Sequence, residues 1–274
     1  MNFAIIGYGK MGKIYDNLLR AEFIVDPLPV YNRPYFSNIE EFIYYYPPVD
    51  LVIVATPTYS HFEIVKKLLI AGYNVLCEKP ICLSEIEAED LEILAARKKL
   101  ILYQSSLERY NPLVKFIKDN IKIETVDRVK SFRFGPRPAN DYSSDPKFDL
   151  GIHDVDLWFF LFKKKVSWEL NVGYGIKRRE VALFLKDGGI LTFDFLNKFM
   201  IRDGKTLSLA EVNTSNPILE MINDLIVKGI KTNEKWSEEI KMLQFNTDNM
   251  IKLTPQKKQY EAKVEHLISF LENS

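Results

Sequence analysis

The sequence predicts an α/β fold, with a doubly wound parallel sheet first and then an α/β domain whose open sheet is mainly antiparallel. Three observations predict this arrangement. A glycine-rich turn separates a short apolar run from a helical segment near the N-terminus, and apolar runs and helical segments then alternate up to about residue 112. From about residue 125, alternating strand patterns are joined by glycine turns. We therefore expect one domain at residues 1–112 and a second at residues 113–274.

The glycine turn lies between an apolar strand run at residues 3–6 and a helical pattern at residues 11–20. It reads Gly7-Tyr8-Gly9-Lys10-Met11-Gly12. In this context Gly7 permits a tight turn, Gly9 lets the backbone approach a pyrophosphate, and Gly12 lets the helix pack on the strand. The amide groups that open the helix, including those of Lys10 and Met11, then face the diphosphate. The turn therefore predicts a dinucleotide-binding Rossmann domain.

The choice of dinucleotide depends on two residues after the next strand. Asp26 ends the apolar run at residues 23–25, at the distance where a ribose-binding carboxylate belongs. Such a carboxylate repels a 2′-phosphate, so Asp26 favours NAD. Arg33 lies in the stretch 27–34, which carries three prolines and cannot be a helix. Because Arg33 could reach a 2′-phosphate, NADP stays possible.

The other elements of the first domain alternate regularly. A short helix is expected at residues 38–46, and a helix with Ser60 as N-cap and Gly72 past its end is expected at residues 60–71. The remaining elements are strands at residues 50–56, 73–77 and 100–103 and a helix at residues 84–98 capped by Ser84.

The second domain shows the period of two typical of strands. Residues 129–134 place Phe132 and Phe134 on one face and Ser131 and Arg133 on the other. Two hairpins are expected, with strands at residues 180–186 and 190–196, and at residues 198–202 and 206–209. One helix, at residues 151–162, precedes these hairpins, and helices follow them. Apolar residues on both faces of this sheet predict a homodimer, or a homotetramer, that forms through its uncovered face.

Composition excludes several classes of function. Lys+Arg and Asp+Glu both number 37, so no net field favours nucleic acid or an anionic membrane. No apolar run approaches a membrane span, and the glycine turn begins too early to follow a signal peptide. Two cysteines make no disulfide framework, and three histidines in separate segments give no zinc-site spacing. We expect a cytoplasmic protein without a catalytic metal.

Two groups of polar residues follow strands of the first domain, at the carboxyl edge where such sheets bind ligands. Thr56-Pro57 follows one strand, and His61 comes soon after, where an ordinary local hydrogen bond explains it better than catalysis does. Glu78-Lys79-Pro80 follows the next strand. A partly desolvated lysine beside a nicotinamide is suited to proton transfer, so Lys79 is a candidate catalytic residue.

A third group opens the helix of the second domain. Asp149 and His153 are four residues apart and Asp156 is three further on, so on an α-helix all three share one face. An imidazole flanked by carboxylates is held in one tautomer and is more basic. Oxidation of an alcohol needs such a base to take the hydroxyl proton. Acidic residues at a helix N-terminus explain Asp149 but not His153, so a functional site is favoured.

Together these motifs resemble the glucose–fructose oxidoreductase / inositol dehydrogenase / rhizopine catabolism (Gfo/Idh/MocA) family of NAD(P)-dependent dehydrogenases. The matching segments are AIIGYGKMG, DLVIVATPTYSH, GYNVLCEKPI, QSSLERYNP and DLGIHDVDL, which lie within about the first 160 residues. The resemblance implies a Rossmann domain followed by an α/β domain whose open sheet mediates oligomers. It also implies a sugar-like substrate bound between the domains, over the nicotinamide. The last two segments are similar to members acting on UDP-N-acetylhexosamines.

The resemblance also implies roles for individual residues. The catalytic group would be Lys79, Asp149 and His153, with Arg109 and Asp156 beside the substrate. A cis Lys79–Pro80 peptide would aim the lysine. The cofactor contacts implied, in addition to the glycine turn and Asp26, are Thr56, Pro57, His61, Glu78 and Lys79. Beyond residue 209 the chain does not align with the family, and we expect the family's usual closing strand and helix to be shortened.

Three functions remain open from the sequence. The first is transfer of a hydride between a nicotinamide cofactor and a hydroxyl carbon of a sugar, polyol or sugar nucleotide. The second is the use of retained NAD for transient oxidation during elimination or glycoside cleavage. The third is a regulator that senses a dinucleotide without turnover, a role that would not require Lys79 or His153.

Overall fold

The structure, a computed structural model, describes residues 2–137, 145–202, 205–208, 216–226, 235–245 and 250–253. The chain divides into two compact units between Leu107 and Glu108. The first unit also takes in residues 140–149 and 215–241, so the C-terminal part of the chain contributes to both units. None of the described helices is long and apolar enough to cross a membrane.

The first unit contains the predicted parallel sheet. Its strands are β1 (Phe3–Ile6), β2 (Phe23–Val25), β3 (Tyr35–Phe36), β4 (Leu51–Val54), β5 (Val75–Cys77) and β6 (Leu102–Gln104). Their order is β3-β2-β1-β4-β5-β6, and every neighbouring pair is parallel. This is the strand order of dinucleotide-binding Rossmann sheets, with the reversal between β1 and β4. Strand β3, which the sequence did not predict, extends the sheet after the proline-rich stretch.

The helices of this unit agree with the predicted ones to within a residue or two. They are α1 (Lys10–Leu19), α2 (Ile39–Tyr45), α3 (His61–Ala71) and α4 (Glu85–Lys98). Asn38 caps α2 by accepting from the amide of Glu41 at 2.8 Å. Ser60 and Ser84 occupy the N-cap positions of α3 and α4, but neither side chain bonds to the helix it precedes. The Ser60 hydroxyl instead donates to the carbonyl of Pro57 at 2.7 Å.

The C-terminal part of the first unit adds α7 (Pro217–Ile226) and most of α8 (Trp236–Phe245). Trp236 is buried and packs edge-on against Tyr103 beside β6. Glu92 of α4 accepts from the amide of Ser237 at 2.9 Å, which fixes the start of α8. The chain beyond residue 209 could not be aligned with the family from its sequence. The structure shows that it supplies α8, which packs against the edge strand of the Rossmann sheet.

The second unit begins with α5 (Pro112–Asn120) and contains a seven-stranded mixed sheet. Its strands are β7 (Val126–Gly135), β8 (Ser167–Tyr174), β9 (Arg178–Leu185), β10 (Ile190–Asp194), β11 (Phe199–Arg202), β12 (Lys205–Ser208) and β13 (Met250–Leu253). The order is β12-β11-β10-β9-β7-β8-β13, and all pairs except β7–β8 are antiparallel. The mainly antiparallel sheet is therefore confirmed, as are the two hairpins. Strands β8 and β13 were missed.

The two faces of this sheet differ in burial, and Ser131 and Arg133 of β7 lie on the buried face. The inner face is buried and includes Trp168, Leu183 and Phe193. The outer face is half-buried, and arginine side chains lie over its rings, with Arg178 4.0 Å from the centre of Phe132 and Arg128 4.4 Å from that of Phe184. These guanidinium groups cover part of the apolar surface on which the dimer prediction depends.

The second helix of this unit, α6 (Ile152–Phe162), is preceded by a π-helical turn, Lys147–Gly151. The predicted helix is present, but Asp149 lies in the π turn and not in α6. A π turn has a different residue spacing from an α-helix, so the sequence argument that Asp149 and His153 share one α-helical face does not apply. Residues 203–204 and 209, in the second predicted hairpin, lie outside the described residues.

Candidate active site

The glycine turn has the geometry that its sequence predicts. Gly7 has a φ of +93°, and a Cβ there would lie 2.8 Å from the carbonyl oxygen of Ala55. A Cβ on Gly12 would collide with the carbonyl oxygen of Gly7, so α1 packs against the turn itself. A Cβ on Gly9 would meet nothing within 4 Å among the described residues, and no side chain caps the first turn of α1. An open backbone surface at an uncapped helix N-terminus fits the diphosphate of a dinucleotide.

Asp26 is tied to this turn. One carboxylate oxygen accepts from the amide of Tyr8 at 2.7 Å, and the other accepts from the amide of Leu28 at 2.9 Å. An ionised carboxylate has about four lone-pair directions, so these two bonds leave acceptor capacity for ribose hydroxyls. The structure thus holds Asp26 beside the turn, and its role in ribose binding stays a prediction.

Arg33 is held away from the role that would favour NADP. Its guanidinium donates to the carboxylate of Asp16 at 2.5 Å and to the carbonyl of Ala21 at 3.0 Å. Asp16, a buried residue of α1, also accepts from the Tyr8 hydroxyl at 2.7 Å, and this hydrogen bond raises the pKa of Tyr8. The sequence reading missed Asp16, because a single acidic residue on a helix gives no signal of a partner 17 positions away.

His61 joins the ends of two strands. Its imidazole lies between the carbonyl oxygen of Thr56 and that of Pro80, with 2.8 Å from a ring nitrogen to each. The residue is 1% exposed, and burial lowers its pKa despite these two carbonyl contacts. A buried imidazole with contacts to the two loops agrees with the ordinary structural interpretation of His61. Its predicted contact with cofactor, like those of Thr56 and Pro57, is untested.

Lys79 follows β5 and contacts Asp149. The Lys79–Pro80 peptide is cis, as predicted. The ammonium group lies 3.1 Å from a carboxylate oxygen of Asp149 and also donates a short hydrogen bond to the carbonyl of that residue. The side chains of Lys79 and Asp149 are 20% and 25% exposed. The structure therefore brings together two of the three predicted catalytic residues as a half-buried ion pair.

Glu78, which precedes Lys79, is held by a tyrosine of α1. The Tyr15 hydroxyl, on α1, donates to one of its carboxylate oxygens at 2.7 Å and lies 2.9 Å from the hydroxyl of Ser105, which follows β6. The sequence reading missed Tyr15 and Ser105. An aromatic residue on the sheet-facing side of a helix gives only the signal of a core residue.

The remaining predicted residues belong to the second unit. His153 is half-buried in the first turn of α6. The Asp156 carboxylate accepts two hydrogen bonds from Nε of Arg109, at 2.9 and 3.0 Å, and a short one from the terminal nitrogen of that guanidinium. Both side chains are buried. The two predicted substrate-binding residues Arg109 and Asp156 are therefore paired with each other.

A second buried ion-pair network lies in the same unit, and the sequence reading missed it. Arg133 of β7 donates to Asp154 of α6 in a short hydrogen bond and to Glu108 at 3.1 Å, and Arg179 of β9 donates to Glu108 at 3.0 Å. Burial raises the pKa of Glu108, but the charges of the two arginines more than offset this and leave it below its ordinary value. The network joins α6 to the inner face of the sheet.

A sheet of this order with an open glycine turn after β1 has the arrangement of a dinucleotide-binding Rossmann domain. Residues 1–105 match a family described as "Oxidoreductase family, NAD-binding Rossmann fold" (GFO_IDH_MocA). These residues are therefore similar to the NAD-binding Rossmann domain of the Gfo/Idh/MocA family, as the motifs predicted.

Individual proteins with names from this family are similar in sequence to this chain. The UDP-N-acetylglucosamine 3-dehydrogenase of Acidithiobacillus ferrooxidans is 30% identical over 113 residues, 41% of this chain and 36% of that protein. The rhizopine catabolism protein MocA of Rhizobium meliloti is 25% identical over 171 residues, 56% of this chain and 54% of that protein. The matched regions of the first three such relatives cover 36%, 64% and 41% of their lengths.

The fold extends over both units. The solved structure of UDP-N-acetylglucosamine 3-dehydrogenase GnnA from Acidithiobacillus ferrooxidans superposes with a TM-score of 0.73 at 18% identity. The superposition covers 89% of this chain and 94% of that one. At this identity the comparison shows a shared fold, which includes the second, mainly antiparallel sheet.

Proposed function

We propose that this protein is an NAD(P)-dependent oxidoreductase that acts on a hydroxyl carbon of a sugar, polyol or sugar nucleotide. The observation that carries the proposal is the Lys79–Asp149 ion pair at the carboxyl end of β5. It lies on the same sheet edge as a glycine turn with an open, uncapped helix N-terminus. A proton-transfer group beside a dinucleotide site is what alcohol oxidation requires.

The cofactor contacts follow from the sheet. We propose that the turn residues bind the diphosphate, that Asp26 binds the adenosine ribose, and that Thr56, Pro57, His61 and Glu78 line the nicotinamide half over β4 and β5. When bound, the nicotinamide supplies the acceptor for a hydride from the substrate carbon. NAD is favoured over NADP because the Asp26 carboxylate repels a 2′-phosphate and because Asp16 engages Arg33.

Lys79 and His153 are assigned the movement of the hydroxyl proton. Asp149 holds the Lys79 ammonium group in place and stabilises its charge. His153 is proposed as the second proton carrier, with Arg109 and Asp156 contributing to the substrate site of the second domain. The domains at residues 1–112 and 113–274 are proposed to bind cofactor and substrate respectively.

The substrate class rests on relatives. The name UDP-N-acetylglucosamine 3-dehydrogenase belongs to a curated relative and to a solved structure of the same fold. A UDP-N-acetylhexosamine is therefore the first substrate to test. Transient oxidation with retained NAD, and dinucleotide sensing without turnover, remain the alternatives.

The test is a turnover assay at 340 nm with NAD and with NADP. The panel contains UDP-N-acetylglucosamine, UDP-N-acetylgalactosamine, free hexoses and inositol. Release of NADH that requires one of these compounds supports the proposal. Product formation without net NADH, by a protein that keeps its cofactor through purification, would point to transient oxidation. Cofactor binding without any turnover, unchanged in Lys79→Ala, would point to a sensor.

A further inference from the structure

Tyr15 connects the glycine-turn helix to the end of β5. Its hydroxyl lies 2.7 Å from the carboxylate of Glu78 and 2.9 Å from the hydroxyl of Ser105. Ser105 stands next to that strand end because its amide donates to the carbonyl of Cys77 at 2.8 Å. Three elements, α1 and the segments after β5 and β6, therefore meet at one phenol group.

The direction of this chain of hydrogen bonds follows from its acceptor. An ionised carboxylate only accepts, so the Tyr15 hydroxyl donates its one proton to Glu78 and accepts from Ser105. Tyr15 is fully buried, and burial together with the nearby charge of Glu78 raises its pKa well above the ordinary value. The phenol thus remains a donor at every pH at which the protein would be assayed.

Glu78 stands over the nicotinamide half of the sheet. A Rossmann sheet binds the two mononucleotides on either side of the strand-order reversal, here between β1 and β4, and β5 lies on the side away from Asp26. Tyr15 takes one carboxylate oxygen of Glu78, and the amide of Lys79 lies 3.3 Å from the other. Two of about four lone-pair directions are used, which leaves acceptor sites for sugar hydroxyls.

We propose that Tyr15 is a positioning residue that orients the Glu78 carboxylate to accept hydrogen bonds from the hydroxyls of the nicotinamide-side ribose. This rests on the proposed function, because it takes a nicotinamide dinucleotide as the ligand. Tyr15 does not touch the cofactor. It acts by fixing one oxygen of Glu78, so that the carboxylate does not have to be ordered when the ribose binds.

Binding of three ligands distinguishes this positioning role of Tyr15 from a general structural role. NADH and ADP-ribose both carry the second ribose, whereas ADP lacks it. We expect Tyr15→Phe to weaken NADH and ADP-ribose binding by about tenfold, the size of a lost hydrogen bond to a charged group, and to leave ADP affinity unchanged. Ser105→Ala, which removes the donor to Tyr15, should change the same two affinities in the same direction by a smaller factor. Titration calorimetry measures all three ligands.

The matched control is Tyr73→Phe. Tyr73 is a buried tyrosine of the same unit, and its hydroxyl donates to the carbonyl of Pro47 at 3.3 Å, away from the strand end that carries Glu78. This variant should bind NADH, ADP-ribose and ADP as the wild-type protein does. In a Glu78→Ala background, Tyr15→Phe should cause no further loss of NADH affinity, because the group it orients is absent.

Equal loss of all three ligands in Tyr15→Phe would overturn the proposal, since it would indicate a disturbed α1. A further loss of NADH affinity on adding Tyr15→Phe to Glu78→Ala would also overturn it. The same holds if neither Tyr15→Phe nor Ser105→Ala changed the affinity for NADH. Failure of the proposed function is distinguishable from these results, because a wild-type protein that binds neither NADH nor NADPH would refute dinucleotide use before any variant is compared.

Discussion

The ion pairs of the two units differ in how much of their side chains is exposed. In the first unit, the Lys79–Asp149 pair at the sheet edge has side chains that are 20% and 25% exposed. In the second unit, Arg133 and Asp154 are 3% and 2% exposed, and Arg109 and Asp156 are 6% and 4% exposed. Water or a ligand can reach the Lys79–Asp149 pair and replace one of its two members. The two pairs of the second unit have lost most of their hydration.

This difference in exposure determines whether a charged side chain can move toward a ligand or is fixed in place. The partly exposed Lys79 side chain can rotate toward a substrate. The buried Arg133 side chain, which is paired with two carboxylates, cannot do so without a large penalty. The buried residues Glu108, Arg133 and Asp154, with the partly exposed Arg179, instead fix α6 against the sheet, and α6 carries His153. We infer that these buried charges set the orientation of α6, and with it that of His153.

The largest effect should come from removing the reactive groups. Lys79→Ala and His153→Ala should each lower kcat by roughly 10²–10⁴-fold, the range for a lost general acid or base, with the fold intact. NAD affinity should change little in His153→Ala. The measurement is steady-state NADH release with an identified substrate. Lys98→Ala is the control, since Lys98 is exposed on α4 and donates to the carbonyl of Ile70. Near-normal turnover in both variants would show that the proton-transfer assignment is wrong.

The next effect concerns stability. Arg133→Met leaves Glu108 and Asp154 buried without their shared partner, and should lower the free energy of unfolding by about 3–5 kcal/mol. Arg178→Met removes an exposed pair with Glu180 and should cost about 0–1 kcal/mol. Urea unfolding followed by circular dichroism gives both values. An Arg133→Met variant as stable as Arg178→Met would contradict the distinction between the two kinds of charge.

Asp16 differs from the Lys79–Asp149 pair because it is a buried charged residue in the first unit. Wild-type protein should bind NAD more tightly than NADP. Asp16→Asn should release Arg33 and improve NADP affinity relative to NAD by about tenfold, the effect of one charge-assisted contact. Fluorescence titration with NADH and NADPH measures this ratio. The double variant Asp16→Asn/Arg33→Ala should lose the gain.

If the wild-type protein bound NADP more tightly, the assignment of Asp26 to the ribose would fall and Arg33 would take its place. If Asp16→Asn left the ratio unchanged, Arg33 would have no part in the choice of cofactor.

The smallest expected effect is a twofold change in mass. The half-buried outer face of the second sheet, which includes Phe132 and Phe184, should pair with the same face of a second copy. Light scattering at micromolar concentration should give twice the mass of one chain, or four times for a tetramer. Phe184→Glu should return it to one chain. A wild-type mass of one chain would mean that the arginines over these rings suffice to cover the face.

The sequence by itself determined the class of each region. The glycine spacing and the apolar runs act locally, through backbone conformation and side-chain period, so they predicted the parallel Rossmann sheet, and the prolines at residues 27–34 excluded a helix there. The longer motifs gave the resemblance to the family, and that resemblance implied the cis Lys79–Pro80 bond. The period of two placed Ser131 and Arg133 on one face of β7 and the phenylalanines on the other, but it did not indicate that the polar pair lies on the buried face.

Only the tertiary structure decided which polar groups meet. Tyr15 and Glu78 are 63 residues apart, and Lys79 and Asp149 are 70 apart, and no local pattern records such a pair. The π turn before α6 was also beyond the sequence, because it replaces the α-helical spacing from which a shared face for Asp149 and His153 was argued. Helical periods and turn signals are set by neighbours in the chain. Hydrogen bonds between strand ends are set by the register of the whole sheet, and that register exists only once the core has packed.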